Sequence, residues 1–317
     1  MVAVPAAPST TALALDANTS TAHDPWAVEP ARPSLDDPPT LAENHERAEA
    51  ACPRVTRPPF YRIERAGNVN YMLGSRHVSI GLGKQPPIVE AKVRAASTVV
   101  FEVAPGDDVD PVNDDSSVPD MLGPELWQRY RKLAGPAQAD AAAQRGPANA
   151  ALRLMLLYED PTQTLDHEIE ILAGQLSKPT AGLESAAFQN NLIAKLLDAR
   201  ALRAAVQGTA DRQEMQADSE KDIREYCTGV DKAPGLDADD RKDMMDAGYT
   251  ETEIAEQEEL LLFRRNRDWI PKLEKLFTNK DVFVVVGADH LRGDKGVLAL
   301  LTKRGFKVTR VDVTDER

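Results

Sequence analysis

Two of the five histidines, His77 and His290, stand in matching contexts. MLGSRH and VVVGADH each run an apolar stretch into a glycine, two variable residues and a histidine. That spacing puts an imidazole just past a strand's carboxyl end, the edge where open α/β sheets bind ligands. Gly74 and Gly287 would let the chain bend sharply there and bring its backbone close to an ion or substrate. A third apolar run, STVVFEV, ends at Glu102 by the same logic. His77, Glu102 and His290 together have a common composition for a catalytic metal with an open coordination position. A single Gly-x-x-His more often caps or packs than binds, and it is the pairing that raises the functional reading. His23 and His45 fall in the N-terminal segment, and His167, inside LDHEI, reads as a surface or supporting residue.

The elements that must position these residues follow from period and punctuation. Phe60, Tyr61 and Ile63, then Ala66-Gly67-Asn68, then Tyr71, Met72 and Leu73 read as a β-hairpin. Pro86 and Pro87 open a helix through IVEAKVRAAS, and TVVFEV follows as a short buried strand. Asp, Pro and Ser mark a loop over 105–120, beyond which the middle of the chain is helical except for a brief strand in KPTAGLES. Residues 251–278 have the apolar spacing of one amphipathic helix. At the end, VFVVVG, GVLALLTKRG and FKVTRVDV form a βαβ pattern whose helix ends at Gly305. The fold class expected is α/β, a small mixed sheet with flanking helices and a large helical insertion over about 105–278. The α/β domain spans 57–317, after an Ala/Pro/Ser-rich tail over 1–56. The tail reads as disordered, with a short helix over Leu41 to Ala51.

Bulk properties narrow the partners. A net charge of −13 argues against a general basic surface for nucleic acid or anionic membrane. No stretch approaches the roughly 18 apolar residues that would span a bilayer. The first residues have no legible secretory signal, so the chain reads as cytoplasmic or exported by a non-standard signal. Cys52 and Cys227 are too few for a disulfide scaffold or a four-thiolate zinc site, but are compatible with one bridge.

YMLGSRHV and VFVVVGADHLRGDKGVLALLTKRGFKVTRV resemble the two signatures of the TraB/PrgY/GumN family, which extends to TIKI proteases and, more distantly, to ChaN-like and erythromycin-esterase-like proteins. FEV, LDHEI, GLESAAFQ and RRNRDW are intermediate marks, and the resemblance covers roughly 58–312. It implies a divalent-metal-dependent hydrolase of peptide or amide bonds, its ion zinc, manganese, cobalt or iron and its substrate a peptide or small molecule. His77 and His290 would be metal ligands or catalytic groups, and Glu102 a ligand or general base. Glu184 in GLES and Arg265-Asn266 in RRN match further family positions. Arg265 would then stabilise an oxyanion, and Asp289 could orient a ligand. On the bland reading, Glu184 caps the next helix and Arg265 is one more surface cation. Ser75-Arg76 and Arg264 depart from the family pattern and would add positive charge near the site. The competing class is a non-catalytic binding or regulatory protein for a pheromone or haem-type ligand, or an exported effector, on the same fold.

Overall fold

The computed structural model describes residues 37–107, 114–279 and 281–313, so most of the expected tail, 1–36, lies outside the described residues. Residues 37–56 belong to the folded body. Thr40 caps helix α1 (Leu41–Ala51) with a reciprocal Glu43 contact, and Cys52 at its end is disulfide-bonded to Cys227.

Strands β1 (Phe60–Arg65) and β2 (Asn68–Ser75) pair antiparallel around Ala66 and Gly67. Both turn residues have positive φ, 52° and 83°, the twist a two-residue hairpin requires. Helix α2 (Pro87–Ala95) leads to β3 (Thr98–Val103). An insertion follows: α3 (Val118–Ala134), α4 (Pro136–Ala142), α5 (Gly146–Met155) and α6 (Leu165–Gln175). It is interrupted by β4 (Thr180–Glu184) and resumes as α7 (Ala186–Leu196), α8 (Ala199–Gly208), α9 (Arg212–Thr228), α10 (Ala238–Asp246) and α11 (Glu251–Glu258). A π-helical turn, Glu259–Phe263, joins α11 to α12 (Arg264–Leu276). The chain returns through β5 (Val282–Gly287), a helical turn α13 (Ala288–Leu291), α14 (Val297–Lys303) and β6 (Lys307–Arg310).

The six strands form one mixed sheet in the order β4-β3-β5-β2-β1-β6. β4, β3, β5 and β2 run parallel, and β1 is antiparallel to both neighbours. On β5, Val282, Val284 and Val286 pack with Trp269, Leu273 and Leu301 on one face. Phe283 and Val285 pack with Val89, Val93 and Ile169 on the other. Both faces are covered, so the strand reads as an unbroken apolar run although its side chains alternate.

The neighbouring strands β2 and β5 leave the sheet in opposite directions. β2 continues through α2 on one face, and β5 through α14 on the other. The crevice beyond their carboxyl ends is a topological switch point, and both Gly-x-x-His motifs open onto it. The insertion carries its own small core, in which Tyr130, Leu133, Leu154 and Leu202 are buried together. The expected single helix over 251–278 runs on through the π turn, where the backbone widens and the Leu261 carbonyl accepts from the Arg265 side chain at 2.9 Å. Among the described residues, no helix is long and apolar enough to cross a membrane.

Candidate active site

Gly74 is the penultimate residue of β2, where the backbone of α13 crosses it, and a Cβ there would stand 2.8 Å from the Ala288 Cα. Only glycine admits that approach. Gly287 does different work. A Cβ on it would stand 3.0 Å from His77 Nε2, 3.4 Å from Glu102 Oε1 and 3.5 Å from His290 Cδ2. Its absence leaves a gap at the centre of the site. The two rings lie within 6.5 Å of one another, the most that 3.0 and 3.5 Å from a common point allow.

His290 is 3% exposed and lies against the Trp269 ring, centroid to centroid 4.4 Å. Asn266 Nδ2 donates to the Lys295 carbonyl, so its Oδ1 faces His290 Nδ1 at 2.6 Å and that nitrogen carries the hydrogen. Nε2 is therefore bare, and it accepts from Arg265 Nη1 at 3.1 Å. Burial first of all, then the charges of Arg265 and His77, outweigh the pull of Glu102 and lower the His290 pKa to about 4.

Glu102 is pinned from three sides. Oε1 accepts the Gly287 N–H at 2.7 Å, and Oε2 accepts Arg265 Nη2 at 2.6 Å and Gln189 Nε2 at 3.1 Å. Burial alone would raise its pKa. Both imidazoles are cationic in the acid range where Glu102 titrates, and together with Arg265 and the Gly287 N–H they bring it down to about 2.

His77 sits deep among protein atoms, although 61% of its side-chain surface still meets solvent through the mouth of the cavity. Its Nδ1–H donates to Asp166 Oδ2 at 3.2 Å, and Ser75 Oγ donates to Asp166 Oδ1 at 2.9 Å. Desolvation pulls the ring towards neutrality, but the Asp166 hydrogen bond and charge, with the charge of Glu102, push its pKa up to about 9. Asp166 lies in the first turn of α6, where the helix dipole favours a carboxylate.

Arg265, 4% exposed, links these groups. Nε donates to Glu184, Nη1 to the Leu261 carbonyl and His290, and Nη2 to Glu102 and Glu184. All five of its N–H donors are thereby committed to protein acceptors, so it has no spare donor for an oxyanion. It is neither the expected oxyanion stabiliser nor a surface cation. Glu184 is not a helix cap, since Ser185 caps α7. It is held by Arg265 and by Trp269 Nε1, and lies outside the lining of the main cavity. Asn266 orients His290, the task expected of Asp289, which instead pairs with Arg292 at 2.7 Å. Of the added cations, Arg76 lines the cavity but is held in a two-pronged pair with Glu159 at 2.6 and 2.8 Å, and exposed Arg264 faces Asp268 at 3.8 Å. His167 is exposed and pairs with Glu170.

A cavity of about 640 Å³ stands over the gap. His77, Glu102, Gly287 and His290 line its floor, and Met155, Leu192, Ile193, Leu261 and Leu262 supply an apolar wall. The floor is built of ionisable groups and the wall of aliphatic ones.

The expected ion finds few donors here. Of the three anticipated ligands, His290 has both nitrogens engaged and Glu102 has each oxygen in a hydrogen bond, which leaves His77 Nε2 as the one uncommitted nitrogen. Among the described residues, no cluster of three or more His, Cys, Asp and Glu is arranged to hold an ion. As arranged, the residues do not fit a divalent metal.

Asp166 and Gln189 were missed as site residues from sequence, although LDHEI and GLESAAFQ contain them. The available signal was an aspartate in the first turn of a helix. Matched against known families, residues 59–310 fit the model described as TraB/PrgY/gumN family. Comparison with curated proteins and with solved structures returns no match.

Proposed function

Because this chain belongs to the TraB/PrgY/gumN family and opens an imidazole onto a walled cavity, we propose that it is a hydrolase of amide or ester bonds, with a peptide or small molecule as substrate. The observation that carries this reading is the floor of the cavity, where no side chain on Gly287 stands between His77 and Glu102. A scissile carbonyl seated on that floor has a proton donor and a fixed carboxylate beside it.

At neutral pH His77 is an imidazolium, kept so by Asp166 and Glu102. Water held at Glu102 Oε1 adds to the carbonyl carbon as it gives that carboxylate a proton. The His77 Nε2–H then protonates the leaving nitrogen or oxygen as its bond to carbon breaks, and the proton on Glu102 restores the His77 imidazolium. Asp166 fixes the ring and its tautomer throughout, as a carboxylate behind a catalytic imidazole does. The aliphatic wall of Leu192, Ile193 and Leu261 supports a substrate with a branched apolar group next to the scissile carbonyl.

The test is a hydrolysis screen of purified protein against a mixed peptide library and aliphatic p-nitrophenyl esters and p-nitroanilides, with His77→Gln alongside. We expect turnover by the wild type and a loss of about 10²–10⁴-fold in the variant, the usual contribution of a positioned proton donor. Equal rates in both proteins, or no turnover by a folded wild type, would sink the hydrolase.

A further inference from the structure

We infer that the fixed cation of this centre is the guanidinium of Arg265, and that the centre is assembled without a bound divalent ion. Arg265 donates to Glu102 Oε2, to both oxygens of Glu184 and to His290 Nε2, the groups through which an ion would have to be held. A first-row ion needs such donors at roughly 2 Å and keeps three protein ligands in catalytic sites. The arginine has taken two of the three anticipated here.

The guanidinium is not free to step aside. It is buried, with its carbon 5.0 Å from the Trp269 ring centroid, and the carbonyl of Leu261 in the π turn fixes Nη1 from the far side. Trp269 in turn donates to Glu184 and packs against His290, so one side chain supports the arginine, its carboxylate partner and its imidazole partner. A dication placed beside this group would meet a like charge in a poorly screened setting. Within the cluster the one guanidinium is shared between two carboxylates, Glu102 and Glu184, and bonds both at 2.6 Å.

The inference goes beyond the hydrolase reading, and its test uses no substrate, so either can fail alone. Metal content of purified full-length protein is measured by mass spectrometry. The protein is then titrated calorimetrically with manganese, zinc and cobalt salts, and Arg265→Ala is treated identically. The wild type should take up no stoichiometric ion. Arg265→Ala, which frees two carboxylates and an imidazole, should gain one. A near-stoichiometric ion in the wild type that is lost in both His77→Ala and His290→Ala would overturn the inference, as would a folded Arg265→Ala that gains none. Should Arg265→Ala fail to fold, nitrogen NMR of the wild type decides. An Arg265 Nε–H resonance unmoved by saturating zinc supports the inference, and one displaced in step with a bound equivalent refutes it.

Discussion

The two Gly-x-x-His motifs begin alike and end as opposites. His77 is mostly open to solvent with a pKa near 9, whereas His290 is buried with a pKa near 4. The difference lies in what stands behind each Nδ1 and before each Nε2. Asp166 backs His77 with a charge, and Asn266 backs His290 with a neutral amide. Nε2 of His77 faces the cavity, while Nε2 of His290 faces a guanidinium. One motif thus presents its imidazole to the cavity and the other locks its imidazole into the protein, and nothing inside either motif says which.

The largest effect that separates them is catalytic. His77→Gln should reduce hydrolysis by about 10²–10⁴-fold with little change in melting temperature. His290→Gln should lower both, and comparison of rate with thermal midpoint checks this. Next comes the cation that ties His290 in place. Glu184→Ala leaves a buried guanidinium short of one carboxylate and should cost roughly 3–5 kcal/mol in denaturant unfolding. A loss below about 1 kcal/mol would show that the arginine rearranges freely.

Exchanging the backing groups sharpens the comparison further. Asn266→Asp should raise the His290 pKa above 4, and Asp166→Asn should lower that of His77 below 9, both read by NMR titration. Values unchanged by the exchange would place the cause elsewhere in the cavity.

The pH dependence of stability follows from the same contrast. His290 titrates lower in the fold than its ordinary 6.5, so the unfolded chain binds the proton first, and this contribution is lost as pH falls from 6.5 through 4. Glu102 adds to the acid loss as pH falls from 4.5 through 2. His77 runs the other way: its contribution is complete below 6.5 and is lost as pH rises through 9. Denaturant midpoints measured across this range should peak between the two flanks. At the small end, His167→Ala should change stability by no more than about 0.5 kcal/mol, since that ring is exposed and its partner Glu170 is a neighbour on the same helix.

Much of this was legible before any coordinates. The hairpin, β3, β5 and the closing helix and strand follow from apolar runs and turn residues, because burial on both faces leaves an uninterrupted signature. The convergence of His77, Glu102 and His290 was legible too, since three strand ends open at one sheet edge. The division of labour among them was not. It depends on side chains from the insertion and from α12 (Asp166, Gln189, Asn266), whose approach is tertiary. Arg265 looked like a reagent in sequence because an arginine's roles separate only once its acceptors are known. The disulfide was legible only as one open alternative, since two cysteines 175 residues apart do not announce their proximity.

The π turn at Glu259–Phe263 sets the angular phase of everything after it. An α-helix advances about 100° per residue, so the extra residue held in that turn determines which side chains of α12 face the sheet. Removing one residue there would let α11 and α12 merge into a regular helix and rotate Arg265, Asn266 and Trp269 away from β3, β4 and β5 together. The centre would then lose its cation, its histidine's orienting amide and its aromatic support through a change in length alone, with every functional side chain still present in the chain.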